Sequence, residues 1–145
     1  MENIAIVNDI DNNIVNSILF ISSKSEYISL SENNLKQYIK DEYHKVIIIK
    51  NNNEIKGFLI YFLLAPEIDI IFIAVYPNNK GYGSKLLSYL FDDAKANNVN
   101  SIKLDLYENN ITAKNFYIKN GFKKIAVRKK YYNDKFDALI MEKSI

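Results

Sequence analysis

The sequence predicts one α/β domain spanning residues 1–145, a single-domain α+β arrangement with a mixed central β-sheet flanked by helices on both faces. Three observations lead there. Strand-length apolar runs and helix-period runs alternate in the order β-α-α-β-β-β-α-β-α-β-β. Short polar turns join the early strands into antiparallel pairs, whereas the later β-α-β-α-β stretch needs crossovers. A length of 145 residues, 48% of them apolar, suits one core, and no Pro/Gly/Ser linker or repeat divides the chain.

The elements follow in order. Ile4 to Val7 is a short apolar run that reads as a strand. Ile14, Val15, Ile18 and Leu19 fall at helical spacing. Ser31 is placed to cap a second helix whose apolar face holds Leu35, Tyr38 and Ile39. Val46 to Ile49 and Ile55 to Leu64 form a hairpin across the Asn51–Glu54 turn. Pro66 interrupts the pattern, and Ile68 to Tyr76, nearly all apolar, reads as a central strand. An amphipathic helix with Leu86, Leu87, Leu90, Phe91 and Ala94 on one face follows Gly83. Ser101 to Tyr107 alternates, with Ile102, Leu104 and Leu106 facing one way and Lys103, Asp105 and Tyr107 the other. Asn110 caps a helix that stops near Asn120-Gly121, and Phe122–Tyr132 with Phe136–Met141 make a closing pair of strands.

Composition narrows the functional classes. A net charge of +2 is too small to argue for nucleic acid or a membrane surface as the main partner. The absence of Cys excludes disulfides, thiolate metal sites and a cysteine nucleophile. The single His, His44, reads as a turn residue and argues against a His-based metal site or a Ser-His-Asp triad, so no metal is expected. Met1-Glu2-Asn3-Ile4 lacks the basic patch and long apolar run of a signal peptide, and no apolar stretch approaches the roughly 18 residues of a membrane span. A cytoplasmic location is the resulting expectation. Arg128 is the only Arg in a Lys-rich chain; Lys does not reproduce its planar bidentate donor, so it is either incidental or dedicated.

The run Asn79-Lys80-Gly81-Tyr82-Gly83-Ser84 ends a buried strand and opens a helix. Such a turn binds phosphate: the first-turn N–H groups have no intrahelical partner and the macrodipole adds positive charge there. Glycines at 81 and 83 would let the backbone approach a diphosphate, with Lys80 adding a cation and Ser84 a hydroxyl. A plain strand-to-helix turn fits the same residues. A dinucleotide fingerprint does not, because Leu86 stands where its third glycine belongs, and no phosphate-binding Gly-x-x-x-x-Gly-Lys-Ser/Thr run exists.

Three further segments decide between these. They are Ile73-Ala74-Val75-Tyr76-Pro77, the Gly81-to-Leu87 loop and helix, and Asn110 with Ala113 and Phe116-Tyr117-Ile118-Lys119-Asn120-Gly121-Phe122. With them the chain resembles, from Glu67 to its C-terminus, the GNAT family of acetyl-CoA-dependent N-acetyltransferases. Leu104-Asp105-Leu106, Arg128-x-x-Tyr131-Tyr132 and Asp137-Ala138 before Met141 are most similar to the RimI-type branch, which acetylates the N-terminal alanine of ribosomal protein S18. Four positions depart from the branch. Val75 to Gly81 is two residues shorter than usual, Asp105 stands for the expected Glu, Phe72 for a common Asn, and Leu30-Ser31 for a Trp-Ser signature.

The resemblance implies direct attack of a neutral amine on the thioester of acetyl-CoA. Ile73, Ala74 and Val75 would bind the pantetheine arm through the backbone, with an N–H near Ile73 polarising the thioester carbonyl. Asn79 to Ser84, Asn110 and Tyr117 would complete the acetyl-CoA site. Asp105 would be the base, through a water because Asp is one methylene short of Glu, with Glu108 and Glu67 in reserve. A solvated or salt-bridged strand Asp is the alternative reading of position 105. Tyr117 would be the general acid toward the departing thiolate, unless it is only a core aromatic beside Phe116. Glu67, Arg128, Tyr131 and Tyr132 would contact the acceptor. An α-amine, with a pKa near 8 against about 10.4 for lysine, is the easier acceptor to deprotonate. The implied function is acetylation of a protein N-terminus, possible acceptors including ribosomal protein S18, by a monomer or homodimer. A small amine, polyamine or lysine acceptor is the second expectation, and a non-catalytic CoA-binding domain the third.

Overall fold

A computed structural model describes every residue except Asn133 and Asp134, together with the side chain of Tyr132. Seven strands and four helices follow one another as β1 (Glu2–Ile6), α1 (Asn12–Ser23), α2 (Glu32–Lys40), β2 (His44–Asn51), β3 (Glu54–Leu64), β4 (Glu67–Val75), α3 (Tyr82–Ala96), β5 (Ser101–Tyr107), α4 (Ile111–Lys119), β6 (Lys123–Tyr132) and β7 (Phe136–Ser144). The sheet order is β1-β2-β3-β4-β5-β7-β6. Among the described residues only the β4–β5 contact is parallel, and every other neighbouring pair runs antiparallel.

Local chemistry sets the boundaries. The Asp11 carboxylate accepts from the Asn13 and Ile14 N–H groups and starts α1; the Ser31 hydroxyl accepts from Asn34 N–H and starts α2. Asn52 and Asn53 sit at φ of 53° and 68°, the left-handed conformation that a two-residue hairpin turn needs and that Asn tolerates. β2 carries Val46, Ile47, Ile48 and Ile49 because both of its faces are covered. Val46 and Ile48 pack under α1 and α2, with Val15, Ile18, Leu35 and Phe58. Ile47 and Ile49 pack under α3, with Leu59, Leu86, Leu87 and Leu90. Each such side chain contributes roughly 1.5–3 kcal/mol by leaving water.

One polar cluster sits within the α3 side of the core. Asp93 Oδ2 accepts from the Tyr61 hydroxyl at 2.6 Å and from Lys45 Nζ at 2.8 Å, and Asn97 Nδ2 donates to Asp93 Oδ1 at 2.9 Å. These bonds tie α3 to β2 and β3 while satisfying the fully buried Tyr61.

Two irregularities in the sheet make the site. The β4–β5 ladder holds only three pairs, Glu67 with Ser101, Ile68 with Ile102 and Asp69 with Lys103, after which the strands part. In β4, Ile60 opposes Phe72 while Tyr61 opposes Ile70, so Ile71 is an extra residue. That bulge turns both Ile71 and Phe72 toward α1 and α2. The closing pair of strands has a register of its own: β7 inserts between β5 and β6, leaving β6 at the edge.

Candidate active site

Where β4 and β5 part, a groove of about 1390 Å³ runs through the sheet. Its β4 wall runs from Asp69 to Val75, and the residues from 71 to 75 are only half-buried because one edge of the strand faces the opening. No ladder joins the strands beyond Asp69, so the backbone groups on that edge of β4 are free of β5.

One end of the groove is the start of α3. Asp11, Ser31 and Asn110 each cap their helix through a side chain, but α3 begins at Gly81 with no side-chain cap. Its first N–H groups therefore remain available to an anion. Gly81 has φ +79°, and a Cβ there would meet nothing within 4 Å, so backbone and open space coincide at the expected diphosphate position. Gly83 differs from the expectation. A Cβ on it would lie 3.0 Å from the Phe116 ring, so its smallness serves the packing of α3 against α4. Tyr82 is buried and its hydroxyl accepts from Asn51 Nδ2 at 3.1 Å, which anchors the helix rather than reaching outward.

α4 forms the floor. The Asn110 side chain accepts from Ala113 N–H at 3.2 Å, and Asn110 also borders the groove, so it caps the helix at the groove wall. Tyr117 is buried, its ring 5.3 Å from both Phe116 and Phe122, yet it lines the groove and its hydroxyl makes no hydrogen bond among the described residues. Burial pushes its phenol well above the ordinary value, which keeps it protonated.

The other end of the groove is the uncovered face of β5, β7 and β6. Asp105 lies there, and its Oδ2 accepts from Arg128 Nη1 at 3.4 Å. The Arg128 guanidinium sits 5.1 Å over the Tyr131 ring. The Tyr27 ring, from the α1–α2 connection, packs 5.3 Å from Tyr107 and narrows this end from above.

The structure gathers Ile73, Ala74, Val75, Asn79, Gly81, Tyr82, Gly83, Ser84, Asp105, Asn110, Tyr117, Arg128 and Tyr131 around the one groove. Lys80 is exposed and lies outside the lining, in keeping with the shortened loop that carries it. Glu67 is also outside: it accepts from Lys103 Nζ at 3.2 Å at the closed end of the β4–β5 ladder. Glu108 does not border the groove, and the Tyr132 side chain lies outside the described residues. Among the lining residues that escaped the sequence reasoning are Tyr27 and Asp69. Tyr27 belongs to a connection without periodicity, and Asp69 is embedded in an apolar run.

Asp69 follows the alternation of β4, between Ile68 and Ile70, which both enter the core under α3. Its side chain therefore shares the open face with Lys103 and Asp105. Desolvation at the groove wall, then the neighbouring Glu67 and Asp105 carboxylates, push its pKa up against the pull of Lys103. Among the described residues, no cluster of three or more His, Cys, Asp or Glu is placed to hold a metal, and no helix is long and apolar enough to cross a membrane.

Known proteins share the sequence pattern and the fold. Residues 13–122 match the Acetyltransferase (GNAT) family. A [ribosomal protein bS18]-alanine N-acetyltransferase from Haemophilus influenzae is 31% identical over 114 residues, which cover 77% of each chain. The crystal structure of the ribosomal-protein-S18-alanine N-acetyltransferase from Escherichia coli superposes with a TM-score of 0.87 at 23% identity, covering 100% of this chain and 94% of that one. A Bacillus anthracis acetyltransferase solved with acetyl coenzyme A superposes with a TM-score of 0.69 at 25% identity, over 81% of this chain and 70% of that one. With a family match across most of its length and a groove that opens between two parting parallel strands, the chain belongs to the GNAT family of N-acetyltransferases.

Proposed function

We propose that this N-acetyltransferase takes acetyl from acetyl-CoA and places it on the α-amine of a protein N-terminus, with ribosomal protein S18 the first acceptor to examine. The observation that carries the reading is the continuity of the groove. It leads without interruption from the uncapped start of α3, where a diphosphate fits, to the open sheet face where Asp69, Asp105 and Tyr131 stand. The 31% identity to an enzyme named for bS18-alanine acetylation supports the choice of acceptor.

Acetyl-CoA, when bound, supplies an acetyl thioester whose carbonyl carbon is the electrophile. The chain's own residues supply the rest. The uncapped α3 N–H groups and Gly81 hold the diphosphate. The free edge of β4 around Ile73 orients the pantetheine arm and offers N–H groups to the carbonyl oxygen as negative charge develops on it. Tyr117, kept protonated by burial, gives a proton to the departing sulfur. A carboxylate on the open face takes the proton of the acceptor ammonium; the family resemblance favours Asp105 for this, and Asp69 stands on the same face.

The test is direct. The protein is incubated with acetyl-CoA and either a peptide beginning with Ala or an N-blocked peptide containing Lys, and products are located by mass spectrometry. Acetylation at the α-amine of the first peptide is expected. Acetylation of the lysine peptide alone would overturn the reading.

A further inference from the structure

Two carboxylates of the sheet, Asp69 and Asp105, stand at the acceptor end of the groove, and the structure treats them differently. Asp105 carries a guanidinium on its Oδ2, since Arg128 Nη1 donates to it at 3.4 Å while stacking on Tyr131. That contact engages the Asp105 carboxylate with β6. The Asp69 side chain has no hydrogen bond or ion pair among the described residues. The nearest cation, Lys103, directs its Nζ away, to Glu67 at 3.2 Å and toward Glu142 at 3.9 Å. Asp69 is also the last residue of β4 paired to β5, so it stands where the groove opens.

We propose that Asp69, rather than Asp105, is the group that accepts the proton from the acceptor amine. The proposal rests on the acetyl-transfer reading above and assigns its base. Its electrostatic setting agrees with the geometry. Glu67 on β4 and Asp105 on β5 face Asp69 with negative charge, Lys103 on β5 offsets them in part, and Arg128 on β6 is engaged with Asp105. Lys24 and Glu26 enter the same groove from the α1–α2 connection with opposite charges. Desolvation and the two carboxylates raise the pKa of Asp69, and the same negative field attracts an ammonium.

The proton balance is simple. The acceptor ammonium loses one proton to the Asp69 carboxylate, and the amine nitrogen then bonds to the acetyl carbon as the carbon–sulfur bond breaks. The sulfur leaves with the electron pair and receives a proton from Tyr117. A second proton is shed from the nitrogen, and Asp69 and Tyr117 are reset by exchange with water, giving the acetamide, CoA thiol and one net proton.

The experiment compares wild type, Asp69→Asn, Asp69→Glu and Asp105→Asn in acetylation of the Ala peptide from pH 6 to 9. Thermal unfolding and the Kd for acetyl-CoA serve as controls. Asp69→Asn is expected to keep its acetyl-CoA Kd within about 2-fold and to lose kcat by on the order of 100-fold at pH 7. Asp105→Asn is expected to lose less than about 10-fold, and Asp69→Glu to recover part of the loss. A second signature is independent of turnover. A carboxyl whose pKa is raised on folding costs stability once ionised, so Asp69→Asn should raise Tm at pH 8 and leave it unchanged at pH 3. The proposal is overturned if Asp69→Asn stays within about 3-fold of wild type, or if its loss lies only in peptide KM. Should wild type acetylate neither peptide, the acceptor reading fails on its own, and an NMR titration of the Asp69 carboxyl decides the assignment. An elevated pKa supports it, and an ordinary one near 3.9 overturns it.

Discussion

Gly83 and Phe116 fit together: the space a side chain would fill at the start of α3 is taken by the Phe116 ring, which a Cβ would approach to 3.0 Å at two ring atoms. One bare backbone thus sets the distance between α3, which carries the anion-binding N–H groups, and α4, which carries Tyr117.

Gly83→Ala should push the Phe116 ring outward and cost about 1–3 kcal/mol as an overpacked contact. Because the ring borders the groove, the Kd for acetyl-CoA should rise as well. Gly81→Ala should act by another route: open space surrounds the position, but φ +79° penalises a side chain by about 1–2 kcal/mol. Gly81→Asn should recover much of that loss. Urea unfolding and calorimetric titration of acetyl-CoA separate the two, since only Gly83→Ala should couple its loss to the Phe116 position, and Gly83→Ala with Phe116→Leu should be milder than the single change.

Tyr117→Phe removes one oxygen and keeps the packing against Phe116 and Phe122. It should lower kcat by about 10²-fold while the Tm and both KM values stay near wild type. Full turnover in this variant would return Tyr117 to a purely structural place in the core.

Asp93→Ala should destabilise the protein by about 1–3 kcal/mol, because it strips the buried Tyr61 hydroxyl of its 2.6 Å acceptor and frees Lys45. Adding Tyr61→Phe should restore part of the stability, since the orphaned hydroxyl is then gone. A double-mutant cycle in denaturant measures the coupling, and simple additivity would show the bond to be idle.

Asp137 clamps the β6–β7 hairpin. Its Oδ1 accepts from the Lys130 N–H at 2.8 Å, where Lys130 holds φ 52°, and Oδ2 accepts from Lys129 Nζ at 3.1 Å. The Lys130 N–H and Lys129 hold its pKa below the ordinary carboxylate value. A depressed pKa contributes stability above the unfolded value, near 3.9, and that contribution is lost as pH falls through the lower folded value. In an NMR titration the Lys130 amide should therefore keep its hydrogen-bonded shift through pH 4 and lose it below. Asp137→Asn should abolish this step, and a Lys130 amide indifferent to acid would show that the clamp is not formed.

The fold was legible because its periods are clean. The alternation of Ile102, Leu104 and Leu106, the leucine face of α3 and the Ser31 and Asn110 caps all act locally, and the structure repeats them. The insertion of β7 between β5 and β6 was not legible, since both candidates are antiparallel-capable strands of similar length and pairing is a tertiary choice. The extra residue at Ile71 was hidden for a related reason: β4 is apolar on both faces, so a change of face leaves no mark in its pattern. The site divided along the same line. The start of α3 was found through its Gly turn, Asn110 through its cap and Tyr117 through the family resemblance, whereas Asp69 was lost in an apolar run although its position between Ile68 and Ile70 gave its direction. Lys80 and Glu67 were drawn into the site by charge and sequence proximity, and the backbone course carries both elsewhere.

The three-pair ladder between β4 and β5 has a thermodynamic consequence. Among the described residues it is the one strand pairing that joins the N-terminal strands to the C-terminal three, so the sheet is narrowest in hydrogen bonds where the donor substrate would lie. A pantetheine arm bonded to the free edge of β4 then acts as a suture across that seam. By mass action, acetyl-CoA at about 100 times its Kd should add about 2.7 kcal/mol. Amide exchange should slow first at Ile70 to Val75 and at Leu104 to Tyr107, on either side of the seam. The substrate would be, for the lifetime of the complex, a missing piece of the fold.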